Sequence, residues 1–210
     1  MCGFIGFSGN LDNKEAILQK MMDRIVHRGP DMGGMYTDDG IALGFRRLSI
    51  LDLSDAGAQP MANEDKSVVV VFNGEIYNFM ELRRELEAKG HTFHCGADTE
   101  VLIHGYEEYG TELIYRLRGM FAFVLWDAKN KRMFGARDIF GIKPFYYYPV
   151  PDGSGLVFGS EIKAFSRASQ VRQGRQRECA APLSDAAVFR HRGNLLQGRV
   201  QAARGPLFCV

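Results

Sequence analysis

The sequence predicts an α+β layered sandwich, and three patterns carry that expectation. The segments VVVVF (68–72) and FAFVLW (121–126) are apolar at consecutive positions, so the sheet they build must be covered on both faces. The strands fall into two clear hairpins, which favours antiparallel pairing. Helical apolar spacing recurs in separate stretches, so helix on one side of the sheet and a second sheet on the other would supply the cover.

The elements follow in order. MCGFIGF reads as an opening strand. In NKEAILQKMMDRIVH, Ile17, Met21 and Ile25 stand four apart beside Leu18 and Met22, one apolar helical face, with Asp12 and Glu15 in near capping-box relation at its start. HRGPDMGG (27–34) combines proline with three glycines and is expected to be a loop. IALGFRRLSIL reads as a strand leading into a second loop, and LDLSDAGAQPMANEDK as a surface excursion. SVVVVFNGEIYN is a strong strand ending at Asn73-Gly74. FMELRRELEAKG carries Phe79, Leu82 and Leu86 at helical spacing and stops at Gly90, and TEVLIHGYEEYG is a second helix capped by Asp98 or Thr99. MFAFVLWD and RMFGARD form a hairpin through AKNK, FYYYP and GLVFGS add two strands, and SEIKAF begins a final helix.

Composition narrows the function classes. With 46% hydrophobic residues in 210, one large domain has ample material for a core. No basic segment precedes the opening apolar run, which ends by Ser8-Gly9-Asn10. A signal peptide or membrane span is therefore not expected, and the location is expected to be cytoplasmic. Cys2, Cys95, Cys179 and Cys209 form no CxxC pair, so neither a disulfide framework nor a zinc knuckle is indicated. The net charge of +1 conceals an asymmetry: residues 1–165 carry 18 basic and 23 acidic side chains, and residues 166–210 carry 8 and 2. That tail has eight arginines and no lysine, isoleucine, tyrosine or methionine. Its charges are diffuse and not interleaved with aromatics, which speaks against a nucleic-acid arm. It reads as a disordered or aberrant segment, of the kind out-of-frame translation of GC-rich DNA would produce. The expected organisation is one domain over 1–165 and a tail over 166–210.

Cys2 is the first candidate for chemistry. Once Met1 is removed it becomes the chain terminus, and a thiol and an α-amine on one residue, whose ordinary pKa values lie close together, can exchange a proton near neutral pH. A buried cysteine on an edge strand is the plain alternative. An acyl-transferring thiol needs donors aimed at the developing oxyanion. Asn73 offers a side-chain amide and Gly74 an approachable backbone, although Asn-Gly alone more often marks a turn. Arg46 and Arg47 follow a strand, where a guanidinium could grip a carboxylate. Asp98 could pair with an ammonium or simply cap a helix. Together these describe a site for an amino acid with an amide side chain.

Other readings are weaker. HTFHC (91–95) holds two histidines and a cysteine, but histidines three apart on an extended stretch point to opposite faces and no second cluster accompanies them, so no metal is expected. FGARDIFG lacks the Lys-Ser/Thr of a phosphate loop, no SGGxDS-type pyrophosphate loop occurs, and FYYYP is expected to be core and strand.

With these residues assembled, the sequence resembles the glutaminase domain of glutamine-hydrolysing asparagine synthases, class II (N-terminal nucleophile) glutamine amidotransferases. The resemblance runs through MCGFIGF, HRGPD, FRRLSILD, GAQPM, FNGEIYNF, ELRRELEAKGHTFHCGADTEVL, LRGMFAFVLWD, ARDIFGIKPFYYY and FGSEIKAF, essentially all of residues 2–165. It implies an αββα four-layer sandwich. It implies that Cys2 attacks the side-chain carboxamide of L-glutamine, with Asn73 and Gly74 as oxyanion hole. Arg47, not Arg46, would hold the α-carboxylate, Leu48, Ser49, Ile50 and Leu51 would line the site, and Glu75 and Asp98 would hold the α-ammonium. Arg28 to Asp31 would form a loop near the pocket.

Glutamine hydrolysis needs no cofactor in this scheme. ATP and Mg belong to the synthetase domain that follows in complete family members, so glutamine hydrolysis without asparagine synthesis is expected. The partners implied are L-glutamine, a synthetase domain or subunit in trans and, through an uncovered face, a second copy in a homodimer; no nucleic acid and no membrane are expected. Two alternatives stay open at this point: a catalytically silent fragment or interaction module, and the amidotransferase domain of another class II pathway, such as those making glucosamine 6-phosphate or phosphoribosylamine.

Overall fold

A computed structural model of the chain describes residues 1–9, 11–48, 57–150 and 153–168, together with the backbone of 207–209. Two antiparallel sheets lie face to face with helices on both outer sides, the αββα order of layers.

The first sheet contains β1 (Gly3–Ser8), β2 (Met32–Asp38), β3 (Ile41–Arg47), β8 (Tyr146–Pro149) and β9 (Leu156–Gly159), in the order β2-β3-β1-β9-β8. The second contains β4 (Met61–Ala62), β5 (Val68–Ile76), β6 (Gly119–Asp127), β7 (Arg132–Arg137) and β10 (Leu207–Cys209), in the order β10-β7-β6-β5-β4. The tail thus contributes one strand, antiparallel to β7; the remaining expectation for it lies outside the described residues.

Strand alternation divides the apolar residues into three layers. Phe4, Leu43, Phe45, Val69, Val71 and Val124 pack between the sheets. Ile5, Phe7 and Ala42 turn the other way, onto α1 (Lys14–Asp23) through Leu18, Met21 and Met22. Val68, Val70 and Phe72 turn onto α2 (Phe79–Ala88) and α3 (Thr99–Tyr109). This is why the consecutive valines of β5 are all apolar: both faces are covered.

The structure departs from the sequence expectations in four places. Gly33 and Gly34 lie inside β2, not in a loop, and a Cβ at Gly34 would lie 2.0 Å from the carbonyl oxygen of Gln59. The glycine is there for close approach of the segment ending in the cis Gln59-Pro60 bond. Asn73-Gly74 is not a turn: it continues β5, opposite Ala122 and Phe121 of β6, and a Cβ on Gly74 would lie 2.2 Å from the carbonyl oxygen of Met120. No Asp12–Glu15 capping box forms; Asn13 occupies the N-cap position in a left-handed conformation, and Glu15 accepts from Thr37 instead. The final helix is a 3-10 turn at Ile162–Arg167.

Candidate active site

Cys2 immediately precedes β1, and its parity with Phe4 places it on the inter-sheet side, where it packs against that core. Its Sγ lies 3.4 Å from the backbone nitrogen of Leu48 and 3.7 Å from the Leu48 carbonyl oxygen. From the other side, Arg28 Nε donates to the Cys2 carbonyl at 3.0 Å, and Arg28 Nη1 is held by Glu161 at 3.2 Å. The nucleophile candidate is thus fixed at its backbone by Arg28, itself braced by Glu161, and contacted at its sulfur by Leu48.

The two arginines at the end of β3 separate by alternation. Arg46 points to the outer face and pairs with Asp23 on α1 at 3.3 Å. Arg47 shares the inter-sheet parity of Leu43 and Phe45 and is only 8% exposed. Extending the β1–β3 register by one residue past Gly3↔Arg46 places Cys2 opposite Arg47.

The other half of the site lies on β5. Asn73 has the parity of Val69 and Val71, so its amide faces the inter-sheet layer; it is 3% exposed and its Nδ2 has no hydrogen-bond partner among the described residues. The N–H of Phe72 is taken by the side-chain oxygen of Gln59 at 2.6 Å and that of Ile76 by Asp98 Oδ2 at 2.8 Å. Neither acceptor belongs to β6, so by alternation the N–H of Gly74 points to the same open edge, between those two. A buried donor left unsatisfied costs about 1–3 kcal/mol, so the Asn73 amide calls for a ligand-directed explanation.

Asp98 occupies the N-cap position of α3 but makes no capping bond with its side chain. Burial first, with Glu75's charge adding, raises its carboxyl to about 6 despite the Ile76 hydrogen bond, which opposes the shift. Two carboxylates in such proximity favour a cation between them.

One short segment ties the two halves together. A Cβ on Gly57 would lie 2.9 Å from Arg47 Nη2, whereas Gln59 bonds Phe72 through its oxygen and Thr99 through its nitrogen. Gly57 and Gln59 are two residues apart, about 7 Å at full extension. Arg47, the Phe72–Asn73 step and the start of α3 are therefore neighbours across the sandwich, where β1 and β3 both contact β5. Ser49, Ile50 and Leu51 lie outside the described residues.

Over residues 1–201 the chain matches the family of the glutamine amidotransferase domain. The chain belongs to that family. Among curated proteins, this amidotransferase domain is 47% identical over 169 residues to asparagine synthetase [glutamine-hydrolyzing] 1 of Bacillus subtilis (strain 168), covering 78% of this chain and 26% of that protein. It is 46% identical over 169 residues to asparagine synthetase [glutamine-hydrolyzing] 2 of Arabidopsis thaliana, covering 79% and 28%. The chain therefore spans about a quarter of the length of these relatives. Among solved structures, the glutamine phosphoribosylpyrophosphate amidotransferase of Bacillus subtilis, complexed with ADP and GMP, superposes with a TM-score of 0.66 at 23% identity, covering 79% of this chain and 43% of that one. That likeness shows a shared fold over most of this chain. Among the described residues no helix is long and apolar enough to cross a membrane.

Sequence reasoning did not find the parts played by Arg28, Gln59 and Glu161. Arg28 was legible only as part of a loop near the site. Its partner Glu161 is 133 residues away and becomes its neighbour only because β9 pairs with β1. Gln59 carries no local signal beyond its place before a proline.

Proposed function

We propose that this amidotransferase domain hydrolyses L-glutamine to glutamate and ammonia through a thioester on Cys2, as the glutaminase part of an asparagine synthase. The observation that carries the proposal is the buried Asn73 Nδ2, which has no hydrogen-bond partner among the described residues, beside the Gly74 N–H at the open edge of β5. Two such donors suit an oxyanion that exists only during reaction.

Removal of the exposed Met1 would free the α-amine of Cys2. The amine takes the thiol proton, directly or through a water, and the sulfur attacks the side-chain carbon of glutamine. The carbonyl oxygen becomes an oxyanion held by Asn73 Nδ2 and the Gly74 N–H. The ammonium of Cys2 returns its proton to the departing nitrogen as the C–N bond breaks, which releases ammonia and leaves a γ-glutamyl thioester. Water, deprotonated by the same amine, attacks the thioester; the C–S bond breaks and glutamate leaves.

Arg47 would hold the α-carboxylate through two parallel bonds, and Glu75 and Asp98 the α-ammonium. Leu48 lines the site beside the sulfur, and Ser49, Ile50 and Leu51 are proposed to continue that wall. No step in this scheme draws on a metal or an organic cofactor; ATP and Mg are assigned to a synthetase domain or subunit that would consume the ammonia. The boundary proposed for the amidotransferase domain is residue 165, and the proposed location is the cytoplasm.

Glutamate and ammonia release from glutamine by the purified chain tests this reading. Equal amounts of both products are expected, with none above background from Cys2→Ala. Undiminished release by Cys2→Ala would overturn the proposal.

A further inference from the structure

We propose that the surface formed by the end of α2 and the outer turns of α3 is a binding site for a zinc-class divalent cation, with His91, His104 and Glu107 as ligands. His104 and Glu107 stand at i and i+3 on α3, and His91 reaches them from the segment that follows α2. Their ligand atoms lie within 4.8 Å of one another. Glu107 Oε2 is 2.9 Å from His104 Nδ1 and 3.6 Å from His91 Nδ1. Zinc bonds of about 2.0–2.2 Å set tetrahedral ligands about 3.4 Å apart, between those two distances.

The surrounding groups match what a metal-binding histidine needs. Each histidine turns Nδ1 toward Glu107 and sets Nε2 beside a different carboxylate: Glu108 at 3.4 Å from His91, and Glu100 at 3.7 Å from His104. At His91 the Glu108 carboxylate can take the Nε2 proton and leave Nδ1 for a metal. His104 Nδ1 donates to Glu107 at 2.9 Å in the metal-free fold, and a metal would take the place of that proton, with Glu100 near Nε2 to receive it. Asn63 Nδ2 donates to the second oxygen of Glu107 at 2.7 Å, which orients that carboxylate. His104 is 2% exposed, with Phe93 packed edge-on against its ring at 4.7 Å, so its geometry is set by the core. Glu107 is exposed, which leaves a fourth position open to water or to an incoming donor. The expectation of no metal considered HTFHC alone; the second cluster it lacked is supplied by α3, and His91, not the His91–His94 pair, is the shared member. The site sits on the helix whose N-cap is Asp98, so an ion here would brace that helix.

The test is zinc stoichiometry by elemental analysis of the full 210-residue chain after gel filtration, together with thermal unfolding in the presence and absence of zinc. One zinc per chain is expected, with Tm raised by about 5–10 °C at a hundredfold excess over Kd. His91→Ala and Glu107→Gln should each weaken binding by more than about 100-fold, and Glu108→Gln, an outer partner, by about 10–100-fold. His94→Ala and Cys2→Ala should leave binding unchanged. His91 lies outside the helices and is partly exposed, so its variant should unfold like the parent without zinc; Glu107→Gln provides a second, independent readout. Substoichiometric zinc, binding that survives both His91→Ala and Glu107→Gln, or binding that disappears in Cys2→Ala would overturn the proposal, the last by assigning the ion to the thiol.

Discussion

Replacing Asn73 with alanine should separate catalysis from stability. In the proposed scheme Asn73 Nδ2 donates to charge that develops only as the thiolate adds, and loss of one such donor typically costs about 10²–10³ in kcat, or about 2.7–4 kcal/mol. KM should change little, because the neutral ground-state carbonyl gains little from the donor. Stability is set by two opposing quantities. Truncation removes three heavy atoms at a position 3% exposed, at a cost of about 1–2 kcal/mol in lost contacts. It also removes a buried donor that has no partner among the described residues, a relief of about 1–3 kcal/mol. The two nearly cancel, and at about 2–4 °C per kcal/mol the Tm should stay within about 5 °C of the parent. Steady-state glutamate release and a thermal melt on the same sample measure both. A kcat within tenfold of the parent would refute the oxyanion role, and a Tm more than about 10 °C lower would refute the reasoning that the amide is spare in the resting fold.

Arg47 and Arg46 should behave oppositely. Arg47→Lys cannot form two parallel bonds to a carboxylate, so KM for glutamine should rise about 10–100-fold, whereas Arg46→Ala, which loses an ion pair to the exposed Asp23, should leave KM within twofold; equal effects in steady-state assays would contradict the division by strand face. The pH dependence should carry an acid limb from Asp98. Only its ionised form holds an ammonium, so kcat/KM should fall as pH drops through about 6, and Asp98→Asn should lower kcat/KM and flatten that limb. The linked stability has the reverse sense. Because the folded-state value is raised, the folded chain binds the proton more tightly between about 4 and 6, so this contribution is full below that window and is lost as pH rises through about 6. Asp98→Asn should therefore unfold at a higher Tm than the parent at pH 7 and at nearly the same Tm at pH 4, as differential scanning calorimetry would record.

Local rules sufficed for most elements. The spacing of Ile17, Met21 and Ile25 marks α1, Gly90 ends α2 with a positive φ of 98°, and the unbroken run Val68–Phe72 announces a strand covered on both sides. Residues whose role depends on another segment resisted the same rules. Gly33 and Gly34 look like loop residues because glycine breaks strands, yet Gly34 is needed where Gln59 crosses β2. Asn73-Gly74 looks like a turn because the dipeptide favours positive φ, yet pairing with Ala122 and Phe121 keeps it extended.

The candidate site divides in the same way. Cys2, the pair Arg46-Arg47, Asn73 and Asp98 can be named from the chain, since each stands at the expected boundary of a recognisable element, whereas Glu75 and the choice of Arg47 come only from the family resemblance. Alternation then sends Arg46 and Arg47 to opposite faces, which no composition argument does. The clamp on the Cys2 carbonyl by Arg28 and Glu161, and the strap from Gly57 to Gln59, arise from pairings over tens to more than a hundred residues and leave no periodic trace in the sequence.

The central claim is that a terminal Cys2 thiol is the nucleophile. Intact-mass analysis of the chain after exposure to an electrophilic glutamine analogue that alkylates thiols tests it most directly. The account predicts a species without Met1 carrying one adduct, mapped to Cys2 by peptide fragmentation, with glutamine protecting and glutamate release lost in proportion. Glutamine hydrolysis by a species that retains Met1, or inactivation by an adduct on Cys95 with Cys2 unmodified, would contradict it.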